Sequence, residues 1–543
     1  MNENIKLIFL SFIFLLFLGG CSTEIISEIT PDIDDKEESQ SILHIRVGSI
    51  EEESSVADDR IESLLLVFFS ENIGKYYINN IVRAIPTEDK GLFKAYFPRQ
   101  INNVPTAVTA IANYDGELNA SSIEDILKTT TKTPYSKDLI LMSSVRYYTE
   151  DLKTDCFFTP VYNSNILGDD LKPITIFLER GVAKVTVADG RVSSSYESDL
   201  LHNGSKVKIT ILLTGWDINA TDKETFLIKN TGGYSFEEME SQLGKYSENS
   251  EWHGNYKQEE IETGVLHWAL SPSYALDKYP ESGDVEDGDI NFLQYNSLSG
   301  RFYSDKDPGS VYVNESTRHK SVFGESNSLP AFVVAAQHIV EGYDAKTFYL
   351  KDKNLIFEDE YFNMIASLQS AIYYKDSGAK VNAMDLKEIL EDKTPDISIT
   401  GKWVGWNMIC PQLSKKTDLK RYCDINGNSL ETEDARTTMN RHLYLSCGLF
   451  EKFVDGKGVY SLPVRHFKGD ERDEYEPETG DYGLVRNNHY FITIKSQSSM
   501  GHGIPDENIK ITDLPEDKAY LNYPLGVTIN VMPWIKVPQS LDF

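Results

Sequence analysis

From Ser41 onward, short runs of β-branched and aromatic residues recur at close intervals, separated by turn residues. In Ser41–Ile50 (SILHIRVGSI), Leu43, Ile45 and Val47 share one face and Ile42, His44 and Arg46 the other. That alternation predicts a strand with one fully apolar face. Ile61–Ser70 (IESLLLVFFS) predicts a second, more hydrophobic strand. Lys75–Val82, Thr106–Ala112, Leu139–Val145, Ile174–Leu178 and Val182–Val187 continue the series. Many short strands at this spacing imply an antiparallel sandwich. One short helix is expected to interrupt it at Ile123–Lys128, capped by Ser121 or Ser122.

A second β-rich unit opens with Lys206–Leu213 and, after a turn at Asn219–Asp222, Glu224–Ile228. Residues 231–325 are rich in tyrosine and glycine, and Leu329–Ala336 resumes a buried strand. Helices are expected over Glu358–Tyr374 and Ala383–Glu391. In the first, Phe362, Ile365, Leu368, Ile372 and Tyr373 fall at helical spacing, which marks a core stripe. Further strands are expected at Leu443–Cys447, Gly458–Val464, His489–Ser496 and Val527–Val531. The expected fold is mainly β: two tandem antiparallel β-sandwich domains of transthyretin-like, Greek-key type, with a few short helices. They are placed at 41–190 and 191–543, the second with long insertions.

The N-terminus constrains location. Lys6 precedes an apolar run from Leu7 to Leu18, and Leu18-Gly19-Gly20-Cys21 closes it. This predicts a lipoprotein signal peptide over 1–21, with Cys21 acylated (palmitate) as the new N-terminus. The run is too short to span a bilayer comfortably. Residues 22–40 are acidic and poor in aromatics, as expected of a tether. The expected destination is the cell surface, with the lipid held in the outer membrane. A formal net charge of −31 over 543 residues argues against nucleic acid, whose phosphates demand a basic footprint. It also argues against electrostatic adhesion to anionic lipid, leaving the lipid on Cys21 as the membrane anchor.

Chemistry is sparse. No phosphate-binding glycine loop, His-Glu-x-x-His or Gly-x-Ser-x-Gly motif occurs, and the ten histidines are dispersed. No catalytic residue, metal site or cofactor is expected. Asp424-Ile425-Asn426-Gly427-Asn428 begins like a calcium loop, but has no glycine at its sixth position or glutamate at its twelfth. It and the cluster Asp284–Asp289 read as solvated turns. Cys156, Cys410, Cys423 and Cys447 follow Cys21. Export permits a bridge, most readily Cys410 with Cys423 or Cys447, and isolated buried thiols are the alternative. Thirty tyrosines, with Trp252, Trp268 and Tyr274, invite a second reading as a surface glycan-binding lipoprotein that does not polymerise.

Three segments share a family pattern. Leu178-Glu179-Arg180-Gly181-Val182-Ala183-Lys184-Val185 with Trp216-Asp217-Ile218, then Arg486-Asn487-Asn488-His489-Tyr490, then Val527–Trp534 ending in Pro533-Trp534, occur in this order. Together with the lipobox they resemble the FimA/Mfa-like fimbrillins, subunits of type V pili, and among them the minor-fimbrium shaft subunit with its C-terminal domain. The residues also have plain physical roles. Asn487 and Asn488 suit a tight turn before a strand, Arg486 suits a carboxylate partner, and Pro533 suits an edge or bend.

The resemblance implies a structural fimbrial subunit supporting adhesion. It would be exported as a lipoprotein, cut after an arginine by an extracellular arginine-specific protease, and polymerised with self or paralogous subunits by donor-strand exchange. The cut is expected at Arg60–Ile61, after an acidic run and past the first strand, with Arg46 as the alternative. The donor strand is expected to carry Val527, Ile529, Val531 and Trp534. Loss of Ser41–Ile50 would uncover an apolar groove with two unpaired edges, which an extended segment could fill by β-augmentation.

Overall fold

The computed structural model describes residues 40–48, 60–89, 91–98, 105–136, 138–148, 155–162, 165, 172–232, 253–258, 261–266, 268–274, 290–298, 310–318, 329–344, 346–402, 404–466, 480–497, 499–511 and 525–533. Cys21, residues 22–39, Trp252, Asp284–Asp289 and Trp534 lie outside them. The chain is mainly β, as the periodicity predicts.

Seven N-terminal strands form a ring. They are β1 (Gln40–Gly48), β2 (Leu64–Asn72), β3 (Lys75–Pro86), β4 (Leu92–Pro98), β5 (Ala107–Ala112), β6 (Met142–Ser144) and β7 (Ile174–Arg180). Their order is β5-β2-β3-β4-β1-β7-β6, and β6 pairs back onto β5. Alternate residues point inward, so Leu43, Ile45, Leu64, Leu66, Phe68, Val108, Ala110 and Ile176 make one cluster. The unbroken apolar run of β2 is explained by burial of its other face too. Val67 and Phe69 pack with Ile126 of helix α1 (Ile123–Lys128), Phe157 and Ile228. Ser122 caps α1 in a capping box with Asp125, as expected.

At Gly181 the chain leaves the ring. Its N–H donates to the Leu141 carbonyl at 2.7 Å, and a Cβ there would meet Leu141 Cδ2 at 3.1 Å. The next strand, β8 (Val182–Asp189), falls inside the 41–190 block expected as the first domain. It pairs instead with strands more than a hundred residues away. The others are β9 (Ser195–His202), β10 (Ser205–Asn219), β11 (Ser310–Asn314), β12 (Ala331–Val340), β13 (Lys457–Pro463), β14 (Asn488–Gln497) and β15 (Leu525–Pro533). One sheet runs β11-β8-β14-β15, and β9-β10-β12-β13 are neighbours in a ten-stranded sheet. Val185, Val187, Ile211, Trp216, Phe332, Val334, Tyr460 and Ile492 fill a common core built from both sheets.

The far end of the ten-stranded sheet carries helices α2 (Glu358–Leu368), α3 (Ala383–Ile389) and α4 (Glu433–Cys447), with their own core around Tyr361, Ile365, Leu386 and Leu443. Three local expectations are corrected here. Leu443–Cys447 is the last part of α4, not a strand. Its alternation suits either state, and the helix starts upstream where Thr432 accepts from the Ala435 N–H. Helix α2 stops at Leu368 because the buried Gln369 side chain accepts from the Ala371 and Ile372 N–H groups, turning the chain before Tyr374. Only Thr225–Phe226 of the expected strand Glu224–Ile228 is extended and paired.

Candidate functional site

β1 is an inner strand. It runs parallel to β7, with Ile45 opposite Ile174, and antiparallel to β4, with Leu43 opposite Ala95. Leu43 and Ile45 are fully buried. Burying a branched aliphatic side chain contributes about 1.5–3 kcal/mol, so this strand is a substantial part of the ring's core. Both backbone edges of β1 are hydrogen-bonded, and each of its neighbours holds it on one side.

Two arginines flank the end of this strand, in different settings. Arg46 lies within β1, its backbone paired with Leu92 and Thr175, although its side chain is exposed. Arg60 lies outside any strand, with a side chain 52% exposed and its Nε 3.3 Å from Glu62. Ile61 packs against the ring core, and β2 begins at Leu64. Asn113, at the end of β5, holds this stretch: its side chain donates to the Arg60 carbonyl at 2.8 Å and accepts from the Glu62 N–H at 2.9 Å. Sequence reading missed Asn113, because an asparagine after a strand signals only a turn.

Among the described residues, β15 is the outermost strand of its sheet and pairs with β14. Val527, Ile529 and Val531 stand opposite Ile494, Ile492 and Tyr490. The edge position leaves one row of its backbone groups outside the ladder.

The Arg486–Tyr490 motif is wholly structural in its contacts. Arg486 is buried, and its Nε donates to Glu315 at 3.1 Å while Nη2 donates to the Thr225 hydroxyl and the Phe226 carbonyl. Burial pushes the Glu315 carboxyl above its ordinary range, against the pull of Arg486 and Lys229. Asn487 has φ of 58°, a conformation asparagine tolerates. Its N–H donates to the Val182 carbonyl, and its side-chain oxygen accepts from Arg180. Asn488 donates to the carbonyls of Val485 and Arg486. The Tyr490 hydroxyl accepts from the Val485 N–H.

These contacts join the ring to the second unit. Thr225 and Phe226, held by Arg486, pair with Thr131 and Thr130 from the N-terminal part. Two more buried pairs lie nearby in sequence, Lys229 with Glu179 and Arg318 with Asp222, each at 2.6 Å. Sequence reading anticipated a carboxylate for Arg486 but not which one, since Glu315 is 171 residues away.

The remaining sequence candidates separate cleanly. Trp268 is fully buried with its ring 5.5 Å from that of His466, so it has no face for a sugar. The Asp424 carboxylate accepts from the backbone of Asn426 and from both the backbone and side chain of Asn428, which saturates it as a turn. Cys156, Cys410, Cys423 and Cys447 are free and buried, so the Cys410 bridge is not formed. Burial pushes the Cys410 thiol up to about 12. Among the described residues, no group of three or more His, Cys, Asp or Glu is placed to hold a metal.

The geometry defines a mainly β protein in which an inner strand, β1, is paired on both sides and β15 lies at the edge of its sheet among the described residues. Residues 451–540 match the family described as "Major fimbrial subunit protein type IV, Fimbrillin, C-terminal". That stretch holds β13, β14 and β15 with the Arg486–Tyr490 motif, so over it the fimbrillin resemblance is borne out. No curated protein matches the chain. Among solved structures, the chain is similar to a fimbrilin (fimA) from Porphyromonas gingivalis at 17% identity, covering 92% of this chain and 98% of that one, with a TM-score of 0.35. A candidate cell adhesion protein from Parabacteroides distasonis is similar at 14% identity over 91% of this chain and 98% of that one, with a TM-score of 0.36.

Proposed function

We propose that this chain is a structural, non-catalytic subunit of a cell-surface fimbria. It is exported as a lipoprotein through Cys21, cut at Arg60–Ile61 by an arginine-specific extracellular protease, and polymerised by strand exchange with other fimbrial subunits. The reading divides the chain at Gly181 into an N-terminal acceptor and a C-terminal unit that carries the donor strand. Val527, Ile529 and Val531 of β15 are the donor residues, and Trp534 continues the same segment.

One observation carries the reading. β1 is paired on both sides, contributes Leu43 and Ile45 to the core, and precedes the half-exposed Arg60 in the chain. Removing it would leave the facing edges of β4 and β7 open and an apolar groove between them. An extended segment seated there would bury ~400–600 Å² of apolar surface, on the order of 10–15 kcal/mol before ordering costs. Release of such a segment would be slow enough to sustain a fibre.

The test is digestion of the purified protein with trypsin, followed by N-terminal sequencing and gels of boiled and unboiled samples. A new terminus at Ile61 with a ladder of multiples in the unboiled lane is the expected result. A chain cut at Ile61 that stays monomeric would overturn strand exchange. A folded chain never cut there would overturn maturation at Arg60 and leave a membrane-held anchor or cap.

A further inference from the structure

We propose that Asn113 is a latch that holds the Arg60–Ile61 peptide closed, so that proteolysis there requires local opening of the ring. The inference rests on the reading that Arg60 is the maturation site, and it adds the device that times the cut.

The contacts are unusually complete for one side chain. Asn113 Nδ2 donates to the Arg60 carbonyl at 2.8 Å and to the Ile140 carbonyl at 2.9 Å. Its Oδ1 accepts from the Glu62 N–H at 2.9 Å, and its own N–H donates to the Ser63 carbonyl at 2.9 Å. Both amide hydrogens meet carbonyls and the oxygen meets an N–H, so the orientation of the amide is fixed by its partners. The residue has φ of 59°, where asparagine is tolerated and most side chains are strained.

This arrangement does for residues 60–63 what a paired strand does further along. Beyond Ala112, the last residue of β5 in register with β2, the Asn113 backbone still bonds Ser63, and its side chain extends the hold to Arg60 and Glu62. The Arg60 carbonyl is the one a protease must polarise, and catalysis needs that oxygen in the enzyme's own set of donors. Here it is already bonded. The following residue, Ile61, packs against the ring core. The arginine side chain is half-exposed while its peptide bond is withheld. Access then follows the population of a locally opened state.

The contact to Ile140 links the latch to more than the cut. Ile140 lies two residues before β6, and Leu141 receives the N–H of Gly181 at the exit from the ring. The carbonyl that holds the second amide hydrogen of Asn113 is therefore adjacent in sequence to the one that receives the chain at its exit from the ring.

The experiment compares the full chain with its Asn113→Gly and Asn113→Asp variants. Glycine accepts the left-handed backbone and removes every side-chain bond. Aspartate keeps an acceptor for the Glu62 N–H and has nothing to donate to the Arg60 carbonyl. Trypsin should release Ile61 roughly tenfold faster from both folded variants, as expected for one or two lost hydrogen bonds. Hydrogen exchange at the Glu62 amide should speed by a similar factor in Asn113→Gly. Unchanged Glu62 exchange, an unchanged cleavage rate at Arg60, or faster cutting at all basic sites alike would each overturn the latch. Accelerated Glu62 exchange with no cleavage at Arg60 in any folded form would overturn the maturation reading instead, and with it the purpose of the latch.

Discussion

Arg486 Nε lies 3.1 Å from Glu315 Oε2, and neither side chain has any exposed surface. A buried ion pair of this kind is a weak source of net stability but a strong constraint, because removing one partner strands the other. Arg486→Ala is expected to cost about 3–5 kcal/mol in equilibrium urea unfolding. The double variant Arg486→Met/Glu315→Met should recover a large part of that loss. Equal losses in the single and double variants would show that the charges do not compensate one another.

Asn487 tests the joint between the two units. Asn487→Gly keeps the backbone conformation and loses the bonds to Arg180, at a cost of about 1 kcal/mol. Asn487→Ala adds left-handed strain and should cost about 2 kcal/mol. Thermal melts of the two variants give the order, and an alanine variant as stable as the glycine one would refute the strain.

The proposed loss of β1 predicts a separation between uncut and assembled states. Leu43→Ala and Ile45→Ala should each destabilise the uncut chain by about 2–5 kcal/mol, as truncations in a packed core do. A polymer formed after cleavage lacks both residues and should melt like wild type. If the variant polymers melted lower, β1 would have been retained in them.

His338 makes the second unit sensitive to acid. It is buried, its Nδ1 donates to the Gly456 carbonyl at 2.9 Å, and burial pushes its pKa down to about 4. Between that value and the ordinary histidine range, the unfolded chain binds a proton that the folded chain does not. Stability from this group is therefore complete above about pH 6.5 and is lost as pH falls toward 4, by up to about 3 kcal/mol. Unfolding of wild type and His338→Gln at several pH values should show a shallower slope in the variant across that window.

Local signals in the chain were sufficient for several elements. The alternation from Ser41, described as far as Gly48, the Ser122 cap and the turn at Asn487 just before β14 each depend on neighbours within a few residues, and each appears where expected. Leu443–Cys447 failed because five residues of alternating apolar character fit a strand and one face of a helix equally. The cap that decides between them lies eleven residues upstream, at Thr432.

The sequence by itself determined that the chain is mainly β, which face of β1 is apolar, and that Arg486 suits a carboxylate partner. Tertiary structure alone decided that β1 is an inner strand beside a parallel neighbour, and that β8 leaves the ring for another sheet. It also decided that Glu315 is the partner of Arg486, that Trp268 is core, and that Asn113 closes on Arg60. The physical reason is common to all of these. A period of two residues tells which side of a strand is buried, whereas the identity of the neighbour is set by contacts between segments far apart in the chain.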